Sequence, residues 1–226
     1  MRLALRQLIA TTLLLVATAA FASKPPVEHY QVELLVYSHL SSEGIGAEYW
    51  PSNVNEPHYQ KHTVVLEPSS LAELGTYPPL TYLPAEQGSL TDYANKLTDK
   101  LPATILYHQT WQVDRKQLRG KYLHFVINNQ VPTYFDDSEE EPSYPEEQVS
   151  GYLSIRLTNY FNTKLELLVT EPRGNVSSDL RDGANPCDSS GNCYFRFDST
   201  RRTRSKVLNY LDHPMYGALL LVTPID

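Results

Sequence analysis

The chain has 226 residues, 41% of them hydrophobic and 20% charged, which is enough apolar content for a core and excludes disorder throughout. Nineteen Lys and Arg stand against 26 Asp and Glu, and a formal charge of −7 sets nucleic acid aside as a partner, because such a surface repels phosphate backbones. Sixteen Pro and ten Gly favour turns over long helices.

The first segment is not part of the fold. Arg2 and Arg6 form a short basic region, Leu8 to Val16 an apolar one, and Ala20 and Ala22 supply the small residues of a cleavage site. Residues 1–22 therefore read as a secretory signal peptide, cut after Ala22, with the periplasm as destination. The charge-free run from Gln7 to Ser23 lies at the low edge of what spans a bilayer, so no membrane span is expected after cleavage. Residues 23–226 are read as one domain. Loss of Arg2 and Arg6 leaves 17 basic groups against 26 acids, a charge of −9.

His29 to Ser38 is β-branched and aromatic, with a continuous apolar stretch at Leu34–Tyr37, and predicts a strand buried on both faces. Thr63–Leu66 reads as a short strand and Pro68–Leu74 as a helical turn or two. Ser89 to Lys100 is the best helix: Leu90, Tyr93, Ala94, Leu97 and Leu101 recur at steps of three and four, and Ser89 or Thr91 can cap it. Pro102 stops it. Strands follow at Ala103–Val113 and Tyr122–Ile127. Asp136–Glu147 holds seven acids in twelve residues with two prolines, and reads as a solvated, mobile loop.

In Gly151–Leu157 the residues Tyr152, Ser154 and Arg156 fall on one face and Leu153, Ile155 and Leu157 on the other. A turn over Asn159–Thr163 leads into Lys164–Thr170, completing a hairpin. Tyr194–Asp198 is a further strand, and a last one at Gly217–Thr223 follows a turn at Asp212–Pro214. The fold class is α+β: a mainly antiparallel sheet with one clear helix and a C-terminal hairpin. That sheet is expected to hold the first strand, the Gly151–Thr170 hairpin and the C-terminal hairpin, with Ala218–Val222 central and buried.

Cys187 and Cys193, with five residues between them that include a Ser-Gly-Asn turn, predict one disulfide in an oxidising compartment. Signatures of hydrolases, zinc proteases and phosphate loops are missing, and no cofactor is implied. His58 and His62 would suit a metal only on a helix, which Pro57 and Thr63–Val65 oppose.

The dense basic cluster is Arg201-Arg202-Thr203-Arg204-Ser205-Lys206. As a strand it would put Arg202, Arg204 and Lys206 on one face, a strip suited to carboxylates or phosphates. Tyr210 and Tyr216 lie close by in sequence. The alternative is that the arginines pair with Asp198, Asp212 and other acids. Tyr49, Trp50, Tyr77, Tyr82, Trp111 and Tyr134 could stack on sugars or fill a core.

The tail, Arg201 to Pro224 with Leu211-Asp212-His213-Pro214 at its centre, resembles the closing motif of the CsiV family of periplasmic peptidoglycan-binding proteins. Tyr30–Tyr37, Ile105–Trp111 and Gly151–Tyr160 resemble family segments in the same order. Lys206-Val207 stands where that motif carries Gly-Glu, and Asn209 where it carries His. The resemblance implies non-catalytic binding of peptidoglycan and support of the enzymes that make it, with a peptidoglycan synthase or its activator as a protein partner. An adaptor that touches only proteins and a wall hydrolase with an unrecognised site are the alternatives. Arg202, Arg204, Tyr210 and Tyr216 are the expected ligand contacts, with stem-peptide carboxylates on the arginines and a tyrosine beside them.

Overall fold

The apolar run after Glu28 becomes β1 (His29–Ser38), and it sits at the centre of a five-stranded sheet. This computed structural model describes residues 27–39, 46, 48–51, 54–55, 57, 63–64, 81–83, 87–101, 103–129, 147–176 and 185–225. The leader, the Pro68–Leu74 turn, His58, His62 and all but the last residue of the acidic loop lie outside the described residues. The first sheet runs β3 (Thr81–Leu83), β4 (Thr104–Asp114), β1, β10 (Tyr216–Ile225), β9 (Asn209–Asp212), antiparallel throughout.

The second sheet runs β2 (Thr63–Val64), β5 (Leu123–Asn128), β6 (Gln148–Leu157), β7 (Phe161–Pro172), β8 (Asn192–Thr203), antiparallel except where β2 meets β5. The α+β class and the antiparallel pairing are as expected. One correction concerns the sheets: the β6–β7 hairpin does not share a sheet with β1 and β10 but faces them. Alternation gives the reason. Leu153, Ile155, Leu165 and Leu167 are inward on β6 and β7, and Val32, Leu34, Leu220 and Val222 are inward on β1 and β10; all eight join one core. Each such side chain taken from water contributes about 1.5–3 kcal/mol.

β1 is buried on its second face too, because α1 (Thr91–Lys100) lies there. Leu35, Tyr37 and Leu219 pack under Leu90 and Ala94, giving three layers: helix, sheet, sheet. The cap of α1 is a second correction. Neither Ser89 nor Thr91 caps it; the buried Glu33 of β1 accepts from the main-chain N–H of Ser89 at 2.8 Å and of Leu90 at 2.7 Å. His108 Nε2 approaches the same carboxylate at 3.0 Å. A carboxylate beside the orphan N–H groups of a helix start does the work of a local cap from 56 residues away. Gly88 makes the approach possible, since a Cβ there would strike the Glu33 carboxylate.

β10 is flanked by β1 and β9, and Ala218, Leu219, Leu220 and Val222 are buried, as expected of a central strand. A four-residue helix α2 (Arg115–Leu118) follows β4. The loop joining β6 to β7 is shorter than expected. Leu157 pairs with Phe161, so residues 158–160 alone make the turn, closed by Thr158 N–H donating to Tyr160 O at 2.9 Å. Tyr160 therefore stands at a hairpin tip.

Candidate functional site

β8 pairs with β7 so that Arg202 lies opposite Asn162 and Thr203 opposite Phe161, bringing the end of β8 beside that tip. The guanidinium carbon of Arg202 sits 3.9 Å from the centre of the Tyr160 ring, and that of Arg204 5.4 Å from it. Two cations within reach of one aromatic ring draw on its negative quadrupole. A hydrogen bond from Arg204, then the charges of Arg204 and Arg202, hold the Tyr160 hydroxyl below its ordinary pKa. Both arginines are exposed. Asp198 is held by Arg196 at 2.8 Å, and Asp212 accepts from Tyr210 at 2.6 Å. Among the described residues no carboxylate pairs with Arg202 or Arg204.

The strip itself is corrected. Arg202, Arg204 and Lys206 do not share one face of a strand, because β8 stops at Thr203 and Lys206 is left-handed with φ 64°. That residue reverses the chain, its N–H donating to Val222 O at 2.8 Å, and lets β9 return beside β10. It also occupies the place of the family motif's Gly, the residue for which such a backbone costs least. The turn leaves Val207 47% exposed. Asn209 braces it, with Nδ2 donating to Val207 O at 2.8 Å and Leu220 O at 3.4 Å. Tyr160, Arg202, Thr203, Arg204, Val207 and Asn209 line a groove of about 440 Å³.

The two tyrosines expected beside the arginines lie elsewhere. Tyr210 is exposed, but it pairs with Leu219 on the helix side of the first sheet. Its hydroxyl meets Asp212 and is hydrogen-bonded to Tyr37, and it does not line the groove. Tyr216 is fully buried. Its alternation with Gly217 turns it between the sheets, where its hydroxyl donates to the buried Glu171 Oε1 at 3.0 Å. Tyr160, Val207 and Asn209 take their places, and none of the three is among the ligand contacts expected from sequence. The signal for Tyr160 was the apolar Leu157 and Phe161 on either side of Thr158-Asn159-Tyr160, which marks the loop length.

Around Tyr216 lies a second polar cluster, closed to water. His213 stacks on Tyr216 at 5.0 Å between centroids, with Trp50 and Phe197 at 5.4 and 5.2 Å. Its Nδ1 accepts from the Met215 N–H at 3.2 Å, and its ring is hydrogen-bonded to the Arg196 main chain. Burial lowers its pKa to about 4, so the imidazole is neutral at pH 7. Glu171 moves the other way, up to about 7, by burial and by the nearby charge of Glu147. Glu147 in turn accepts from Ser38 Oγ at 3.1 Å. These groups belong to β1, β7 and β10 and the segments beside them, and their chemistry is directed at one another. Trp50 and Trp111 are core residues rather than sugar platforms.

The Cys187–Cys193 disulfide is formed, which fits an exported protein. Asp188 shapes its loop, accepting from Ser190 and Asn192 N–H at 2.9 and 3.0 Å and from Tyr194 Oη at 2.8 Å. Among the described residues no three His, Cys, Asp or Glu are placed to hold a metal, and no helix is long and apolar enough to cross a membrane.

Neither curated proteins nor solved structures offer a match to the chain. A family model does, that of CsiV, a peptidoglycan-binding protein, and it matches residues 7–225. The segments that carry the resemblance have structural reasons to stay together: the first strand, the β6–β7 hairpin and the Arg201–Pro224 tail build the two sheets and the groove between their ends. The chain belongs to the CsiV family of peptidoglycan-binding proteins.

Proposed function

We propose that this protein is a periplasmic, non-catalytic accessory factor that binds peptidoglycan through stem-peptide carboxylates held by Arg202 and Arg204, and so supports the enzymes that synthesise the wall. One observation carries the reading: two exposed guanidiniums share the Tyr160 ring, with no acid to satisfy them among the described residues, on a chain of net charge −7. A carboxylate is the complement of that arrangement, because the guanidinium fork matches its two oxygens. Tyr160 pre-orders both forks before a ligand arrives, which lowers the entropic cost of binding. The leader at residues 1–22 and the disulfide support export. The family description speaks of binding rather than of a reaction.

Co-sedimentation with purified sacculi tests the proposal. Each charge-assisted hydrogen bond contributes about 1.5–3 kcal/mol, so Arg202→Ala or Arg204→Ala should weaken binding roughly ten- to a hundredfold with the melting temperature unchanged. Raising salt from about 0.15 to 1 M shortens screening from about 8 to 3 Å and should weaken wild-type binding as well. Variants that sediment as tightly as wild type at low salt, or muropeptides released from the sacculi by pure protein, would overturn it.

A further inference from the structure

We infer that the groove reads a chain-terminal carboxylate preceded by an amide N–H and flanked by a short apolar side chain, which in a cell wall is the D-alanine end of an uncrosslinked stem peptide. The inference rests on the proposed peptidoglycan reading and narrows it to one of the several carboxylates that a stem peptide carries.

Three kinds of group line the same groove. Arg202 and Arg204 supply fork donors for a carboxylate. Val207 supplies an aliphatic surface, 47% exposed. Asn209 supplies an acceptor, and its orientation is decided by its partners. Both groups it meets, Val207 O and Leu220 O, are carbonyls, so the atom facing them must be the NH₂. Its Oδ1 is thereby left without a partner among the described residues, ready to accept a proton. Donor fork, apolar contact and acceptor are the counterparts of the carboxylate, methyl and N–H of an acyl-alanine terminus.

Other anions fit less of this set. Phosphate satisfies the arginines, but it offers nothing apolar to Val207. A carboxylate within a peptide, such as that of glutamate or diaminopimelate, has more chain or charge beside it than a single methyl. The groove, at about 440 Å³, falls within the range of about 300–1,000 Å³ for small-ligand sites. Its walls are also braced from behind. Asn209 pins the Val207 carbonyl, and the left-handed Lys206 bonds to Val222 of the central strand β10, so ligand binding need not order the turn.

Calorimetric titration of the whole mature protein with Nα,Nε-diacetyl-L-lysyl-D-alanyl-D-alanine, with its C-terminal amide and with inorganic phosphate tests this, with sacculus sedimentation run in parallel. The free acid should bind at least tenfold more tightly than the amide or phosphate. Val207→Ser, a surface change that removes the aliphatic contact, should weaken peptide binding severalfold while the variant melts like wild type. Equal binding of acid and amide, or phosphate as strong as peptide, would sink the inference. So would sacculus binding that depends on Arg202 and Arg204 without any affinity for the tripeptide, and in that case the broader carboxylate reading survives. Sacculus binding indifferent to both arginines removes the reading and the inference together.

Discussion

The C-terminal motif passes through two regions that treat polar groups in opposite ways. At the groove, Arg202 and Arg204 are exposed, share one tyrosine ring and have no carboxylate among the described residues. Between the sheets, Tyr216 is shut from water and matched to Glu171, with His213 stacked upon it. Water explains the difference. A cation at the surface can wait for its ligand at little cost because solvent satisfies it, whereas a buried polar group without a partner costs stability at once. A motif compact in sequence thus divides into a part available for binding and a part needed for folding, and proximity along the chain is no guide to which is which.

Removing the folding part should have the largest effect. A chain ending after Pro214 loses β10, the neighbour of both β1 and β9, and should show no cooperative unfolding transition by circular dichroism. A truncated protein that melts cooperatively would mean the first sheet does not depend on β10. Next comes Tyr216→Ala, which opens a cavity and strips Glu171 of its donor. It should cost about 3–5 kcal/mol in denaturant titration, while the folded fraction still sediments with sacculi. Loss of sediment in proportion to neither stability nor folded fraction would instead draw the buried end into the binding site.

The buried end should also leave a mark on the pH dependence of stability. Glu171 titrates near 7 in the fold against an ordinary 4.5, so its extra stabilisation is complete below about 4.5 and is lost as pH rises through 7. His213, near 4 against 6.5, runs the other way: its contribution is present above 6.5 and is lost as pH falls toward 4. Each shift amounts to about 3 kcal/mol, and between roughly pH 4.5 and 6.5 the two oppose each other. Glu171→Gln should therefore be more stable than wild type at pH 8, and should lose stability on acidification more steeply than wild type does. Urea titrations from pH 4.5 to 8 that give parallel curves for the two proteins would show that folding leaves the Glu171 pKa unshifted.

The smallest effect belongs to the groove's own turn. Lys206→Gly relieves a left-handed backbone at some cost in unfolded-state entropy, and should stabilise by about 0.5–1 kcal/mol without changing sacculus binding. A destabilised Gly variant would mean that the lysine side chain holds the turn.

Much of the fold could be read residue by residue. β1 spans the predicted His29–Ser38, and the alternation of Tyr152, Ser154 and Arg156 against Leu153, Ile155 and Leu157 is the one observed. The disulfide followed from two cysteines and an export signal. The candidate site was half legible: the basic cluster pointed to Arg202 and Arg204, while Tyr210 and Tyr216 were attached to them by sequence distance alone.

Local pattern by itself determined where strands run, which of their faces are apolar, where α1 lies and which cysteines meet, because these depend on side-chain period and on neighbours a few residues apart. Tertiary structure alone decided that the strands divide into two facing sheets and that Glu33, not a serine or threonine, caps α1. It also decided that Tyr160 rather than Tyr216 lies under the arginines. Each of those outcomes joins residues tens of positions apart. Alternation says that a face is buried but not against what, and a charge or a ring becomes a site or a strut according to which partners the folded chain brings within about 4 Å.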